Sequence, residues 1–206
     1  MLKFCKYQGL GNDFIIIEGN QQNLPEIGSK EGRRFVRKAC DRRFGIGADG
    51  LILVQPAKSN ADIRMQIINS DGSEAEMCGN GVRCLVKYLV DTNQIKRDEE
   101  LTVETLAGSI KTCITEDELI SVDMGQPTFE PEKIPTILPI GTSGIPQGII
   151  NVDGIPLDIR AAGMGNPHMI IYVQNVKEVP LHNWGKRLEN DKHFPASTNV
   201  HFVEIK

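Results

Sequence analysis

The sequence predicts an α+β fold built as two similar lobes of mostly antiparallel strands around a helix, the second lobe incomplete. Three observations carry that prediction. Short apolar or alternating runs outnumber segments of helical period, and turn signals separate them closely enough for antiparallel pairing. Two pieces of text recur in the same order and at nearly the same spacing. GLGNDF at Gly9–Phe14 returns as GMGNPH at Gly163–His168, and ADGLILV at Ala48–Val54 aligns with STNVHFV at Ser197–Val203. Between the copies, residues 125–146 hold five of the eleven prolines and show no periodicity. The domain connection is placed at the start of that stretch, giving a first lobe over 1–124 and a partial second lobe over 125–206.

The elements follow in order. Residues 3–7 and 13–18 read as strands, the second apolar through Phe14, Ile15, Ile16 and Ile17. A helix is predicted over 30–42, with Phe35, Val36, Ala39 and Cys40 inward and a run of Arg and Lys on the solvated face. Residues 51–54 form a short apolar strand, and 61–68 alternates cleanly, with Ile63, Met65 and Ile67 on one face. Val82, Leu85, Val86, Leu89 and Val90 recur at helical spacing and predict a helix over 81–93 with Asn80 as its N-cap. Residues 101–105, 109–114 and 119–124 form a meander. Beyond the prolines, strands resume at 148–152, 157–161, 168–173 and 199–205, with a short helix inside 181–190.

Composition narrows the function. The 206 residues are 40% hydrophobic, which is ordinary for a globular protein, and no apolar run approaches the length needed to span a bilayer. The N-terminus carries no signal-peptide pattern, so a cytoplasmic setting is expected. A net charge of −4 argues against nucleic acid as a partner. The five cysteines include no CxxC pair, which favours free thiols over a disulfide framework or a zinc site.

The chemistry centres on NSDGSEAEMCGNGVRC, Asn69–Cys84. Cys78 falls at the predicted start of a helix, facing unpaired N–H groups and the positive end of the dipole. Such a place favours thiolate over thiol. The same N–H groups offer a cradle for a carboxylate. A thiolate beside a carboxylate cradle suggests proton transfer on an acid.

These residues resemble the diaminopimelate epimerase family. The matching pieces are GLGNDF, RRFGIGADGLILV, INSDGSEAEMCGNGVRC, VDMGQP, MGNPH and FPASTNV, in the family's order. The resemblance implies a pseudo-symmetric pair of lobes with a cleft between them and one catalytic cysteine from each. It implies interconversion of LL- and meso-2,6-diaminopimelate by two-cysteine proton transfer, with neither metal nor other cofactor. Carried over, Cys78 matches the first catalytic cysteine and His168 a residue that tunes protonation. Gly79 and Asn80 match groups binding the reacting centre, and Asn12, Asn69, Asn166 and Asn199 match groups holding the substrate. The expected partner is a small-molecule substrate, with no nucleic acid and no membrane, and the resemblance implies a homodimer.

The resemblance departs at one end. Family chains continue through a segment that supplies the second cysteine, a Glu-Arg pair and a second carboxylate-binding turn, and none of it stands before Lys206. The expectation is a chain truncated relative to the family, with weak activity or none alone. Gly50 stands where some members carry a Gln that contacts substrate, so it is not counted as a site. Two other readings stay open at this point: a proline-racemase-like isomerase, and a non-catalytic or decayed amino-acid-binding fragment.

Overall fold

Two sheets, each with its own core, organise the chain. The computed structural model describes residues 2–19, 23–97 and 100–206. By internal contacts the chain divides into a first unit ending at Met124 and a second over Gly125–Lys206.

In the first unit, β1 (Cys5–Gly9) and β2 (Asn12–Glu18) form a hairpin, and α1 (Lys30–Cys40) leads to β3 (Gly50–Gln55). Then come β4 (Ile63–Asn69), a two-residue β5 (Glu74–Ala75), α2 (Gly79–Asp91), β6 (Leu101–Thr105), β7 (Gly108–Ile114) and β8 (Ile120–Val122). They make one 8-stranded sheet in the order β1-β2-β3-β4-β6-β7-β8, with β5 on β4. Most pairs are antiparallel; β2–β3 and β4–β6 are parallel. The strand alternation assigns each face to one helix. Phe14, Ile16, Ile52, Val54, Met65 and Ile67 pack under α2 with Val82, Leu85 and Leu89. Ile15, Ile17, Leu51, Leu53 and Ile68 pack against Val36, Ala39 and Cys40 of α1. Burial on both faces explains why β2 and β3 read as continuous apolar runs.

Helix α2 starts earlier than expected. Asn80 is not its N-cap: Cys78 holds that place, with extended backbone, and its sulfur accepts the Gly81 N–H at 3.4 Å. Asn80 sits in the first turn, where its Oδ1 accepts from the Arg83 guanidinium. A sulfur three residues before the donor spans the distance that a Ser or Asp cap uses, so the helix begins two residues earlier than expected, at Gly79. The far end of α2 is tied to the sheet as well. Tyr88 Oη donates to Glu18 Oε1 at 2.6 Å, and Tyr7 Oη donates to Asp91 Oδ2 at 2.9 Å.

In the second unit, β9 (Gln147–Val152), β10 (Ile155–Gly163), β11 (Pro167–Tyr172) and β12 (Asn199–Val203) form a 4-stranded sheet in the order β12-β11-β10-β9. A 3-10 turn at Val176–Glu178 and α3 (Leu181–Leu188) link β11 to β12. One face packs Ile159, Met169 and Ile171 against Ile134, Leu188 and Phe194. The other carries Ile149, 69% exposed, and Tyr172, 49% exposed.

The sequence repeat is a repeat of strand pairing. In the first unit β2 runs parallel to β3 with Phe14 opposite Gly50. In the second, β11 runs parallel to β12 with His168 opposite Asn199, at the positions the aligned text equates. The hairpins differ by one residue. Gly9 pairs with Asn12 across Leu10 and Gly11, both in the left-handed region with φ of 55° and 86°. Gly163 pairs with Pro167 across a three-residue loop in which Gly165 has φ of 83°. The first is the two-residue turn that suits twisted strands, and the second is a longer loop with glycine at its left-handed position.

Candidate functional site

The sequence-predicted residues fall into two groups, one in each unit. In the first unit Asn12 opens β2, Asn69 closes β4, and Cys78, Gly79 and Asn80 begin α2. Register brings these ends together, because Phe14, Gly50 and Asn69 lie side by side across β2, β3 and β4. Helix α2 starts over that same end. A Cβ on Gly81 would stand 2.9 Å from Ile67 Cδ1 and 3.4 Å from Ile52 Cδ1, one inward-facing pair further along. The absence of a side chain at Gly81 therefore lets the helix N-terminus settle onto β3 and β4. A Cβ on Gly9, at the β1–β2 turn, would lie 3.5 Å from the Asn80 carbonyl. The turn that carries Asn12 is thus also at the α2 N-terminus.

Helix geometry leaves the N–H groups of Gly79 and Asn80 without a carbonyl four residues back. With the cap sulfur beside them they can receive an anion, and the helix dipole favours it there. Asn12 Oδ1 is closed off from solvent and accepts no hydrogen bond among the described residues. A buried acceptor of that kind costs about 1–3 kcal/mol unless something donates to it. Asn69 donates from Nδ2 to Ser73 Oγ at 3.0 Å, inside a loop whose Asp71 accepts from the Ser73 N–H and hydroxyl. Arg83, which the sequence analysis did not single out, fixes the Asn80 amide.

Beneath this end a charged cluster joins β2 to β3. Asp13 takes both arms of Arg42, at 2.7 and 3.1 Å, and an ammonium hydrogen of Lys6 at 3.0 Å. Asp13 N–H donates to Asp49 Oδ2, and Asp49 N–H donates back to Asp13. The Arg42 guanidinium, with Lys6 and the Asp49 N–H behind it, holds the Asp13 carboxyl well below the usual carboxylate range.

Two of the other cysteines are buried. Burial pushes the thiols of Cys40 and Cys84 up to about 11. Cys5 and Cys113 are half-buried, as Cys78 is, but lie within β1 and β7 and not at a helix N-terminus. Brief iodoacetamide treatment near neutral pH is therefore expected to label Cys78 before the rest, as read by peptide mapping. Labelling of Cys5 or Cys113 with Cys78 intact would contradict this.

In the second unit Asn166, His168 and Asn199 come together, and His201 joins them. His168 Nε2 lies 2.6 Å from Asn166 Oδ1, and its Nδ1 lies 2.8 Å from His201 Nε2. The two imidazoles stack, with centroids 5.0 Å apart. Asn199 Nδ2 donates to the Pro167 carbonyl at 3.1 Å. Burial, and secondarily the neighbouring His201, holds His168 below the ordinary histidine value, which favours the neutral ring. His201 escaped the sequence analysis. The signal was there: if STNVHFV repeats ADGLILV, period 2 places His201 on the face of Asn199. Among the described residues no three His, Cys, Asp or Glu side chains gather as metal ligands, and no helix is long and apolar enough to cross a membrane.

This arrangement defines a class. The fold is that of racemases and epimerases. The structure titled as a probable proline racemase from Agrobacterium radiobacter K84 matches with a TM-score of 0.64 at 14% identity, covering 100% of this chain and 67% of that one. At that identity the likeness is one of fold alone. Sequence carries the assignment further. The family model described as diaminopimelate epimerase matches residues 4–130. The diaminopimelate epimerase of Prochlorococcus marinus (strain MIT 9313) is 51% identical over 205 residues, covering 100% of this chain and 68% of that protein. That of Carboxydothermus hydrogenoformans is 45% identical over 206 residues, covering 99% of this chain and 72% of its own length. The chain belongs to the diaminopimelate epimerase family.

Proposed function

We infer that the protein is an amino-acid epimerase that interconverts LL- and meso-2,6-diaminopimelate, with Cys78 as one of the two groups that move the α-proton. The observation that carries this reading is the sulfur of Cys78 capping α2 at the sheet end where Asn12 holds an unused buried acceptor.

The chemistry follows from that placement. The α-hydrogen of an amino acid is a weak acid, so its removal needs a base aimed at it and stabilisation of the charge left behind. The Cys78 thiolate takes the proton from one face. The Gly79 and Asn80 N–H groups donate to the carboxylate, where negative charge grows as the C–H bond breaks. Protonation from the opposite face by a second acid, which the resemblance gives as another cysteine, inverts the centre. Asn12, Asn69, Asn166 and Asn199 hold the rest of the substrate, since an amide can donate to a carboxylate and accept from an ammonium. His168 biases the protonation of the site. On this reading 1–124 and 125–206 are the two lobes of one enzyme. The reading also places it in the cytoplasm, as a homodimer, with no nucleic acid or membrane among its partners.

Incubation with LL-diaminopimelate in deuterium oxide, followed by chiral separation and mass analysis, tests the proposal. The expected result is solvent deuterium at an α-carbon of the recovered diaminopimelate, placed there through Cys78, with meso product in the measure that a second acid serves the opposite face. Meso product without solvent deuterium would contradict proton transfer through exchangeable thiols, and recovery of diaminopimelate with no deuterium at either α-carbon would reject the substrate.

A further inference from the structure

We propose that His201 is a positioning residue: it donates to His168 Nδ1 and, through that ring, turns the Asn166 amide so that its N–H groups face the ligand. The part that concerns substrate rests on the epimerase reading; the hydrogen-bond order does not.

The argument is one of donors and acceptors. Asn166 Oδ1 can only accept, so His168 Nε2, 2.6 Å away, carries a proton. A neutral imidazole has one N–H, which leaves His168 Nδ1 as a lone pair. His201 Nε2, 2.8 Å from that lone pair, supplies the donor. The chain therefore runs His201 to His168 to Asn166 in one direction. Asn166 is left with its Nδ2 hydrogens uncommitted to the ring, which suits a carboxylate and not an ammonium.

The surroundings of His168 support a neutral ring. Strand alternation places it on the open face of the second sheet with Ile170 and Tyr172 of its own strand. Across β10 it faces Ala162, with Arg160 and Asp158 beyond, and across β12 it faces Asn199 and His201. Arg160 is engaged elsewhere, bonded to Asp158 at 3.1 Å and lying over the Tyr172 ring at 5.2 Å. Two imidazolium rings would set N–H against N–H at 2.8 Å, so the pair does not hold both charges.

The test uses the full protein labelled with nitrogen-15 histidine and long-range proton–nitrogen correlation, which reports the nitrogen that bears the proton. His168 is expected to be protonated on Nε2. His201→Gln, which keeps a donor, should preserve that pattern. His201→Glu offers only an acceptor and should move the His168 proton to Nδ1. His201→Phe should raise KM about fivefold, the worth of one hydrogen bond, with kcat little changed, and the Gln variant should restore it. A wild-type proton on Nδ1, or an unchanged pattern in the Glu variant, overturns the proposal. If the tautomer pattern follows this order while the wild-type protein interconverts nothing, His201 keeps its role and only the epimerase reading falls.

Discussion

Replacing Cys78 with alanine is expected to lower interconversion of diaminopimelate isomers by about a thousandfold or more, within the range that a positioned proton-transfer group contributes. The loss should fall on kcat, because the sulfur meets the substrate where the C–H bond breaks, while Gly79, Asn80 and Asn12 still bind it. Alanine also removes the cap that receives the Gly81 N–H, at a cost of roughly 1 kcal/mol to α2. Cys78→Ser separates the two effects. A serine hydroxyl caps a helix at least as well as a thiol but is a far poorer base near neutral pH, so that variant should be stable and still almost inactive. Chiral chromatography of product, with thermal melting of each variant, makes the measurement. A stable serine variant with more than about a tenth of wild-type turnover would remove Cys78 from the mechanism.

Asp13→Asn is expected to cost about 2–3 kcal/mol of stability, read as a lower urea midpoint at neutral pH. The Asp13 side chain is only 14% exposed and takes the Arg42 fork and the Lys6 ammonium, whereas Arg42 is itself 56% exposed and keeps access to water when its partner goes. The effect should therefore be smaller than for a fully buried pair. The same carboxylate makes stability depend on acid. Its folded-state value lies below the unfolded one, so its contribution is complete above the ordinary carboxylate range and is lost as pH falls through the depressed value. Wild-type protein should hold its urea midpoint from pH 7 to about pH 5 and lose it below about pH 4, and the Asn variant should show a shallower acid loss. Equal acid dependence in the two proteins would show that Asp13 is not the group being titrated.

Much of the framework was legible because it rests on periodicity. The alternation of Ile63, Met65 and Ile67 and the helical spacing of Val82 to Leu89 reflect which side chains meet a core, and the paired text around Phe14 and His168 reflects a repeated strand pairing. What escaped depends on contacts that no local pattern encodes. Gly-Asn-Gly before an apolar run invites an asparagine cap, yet the sulfur two residues earlier takes the donor. Strand β5 is two residues long and exists only because it lies against Ile67 and Ile68. His201 shows an alternating pattern like any strand residue; its importance comes from the parallel neighbour at His168. Leu10 adopts a left-handed backbone that a leucine does not advertise, so the tighter first turn could not be read from its letters.

The longer loop of the second hairpin is a change of pairing and not of chain length, because GLGNDF and GMGNPH align residue for residue while Gly9 pairs with Asn12 and Gly163 with Pro167. The antiparallel partner has slipped by one residue, whereas the parallel pairing with the next strand, Phe14 with Gly50 and His168 with Asn199, sits at the same aligned positions in both units. The equivalent strand position is then free to diverge: Phe14 lies against α2 in one copy, while His168 bonds Asn166 and His201 in the other. One strand pattern thus carries a core residue in the first unit and a polar chain in the second.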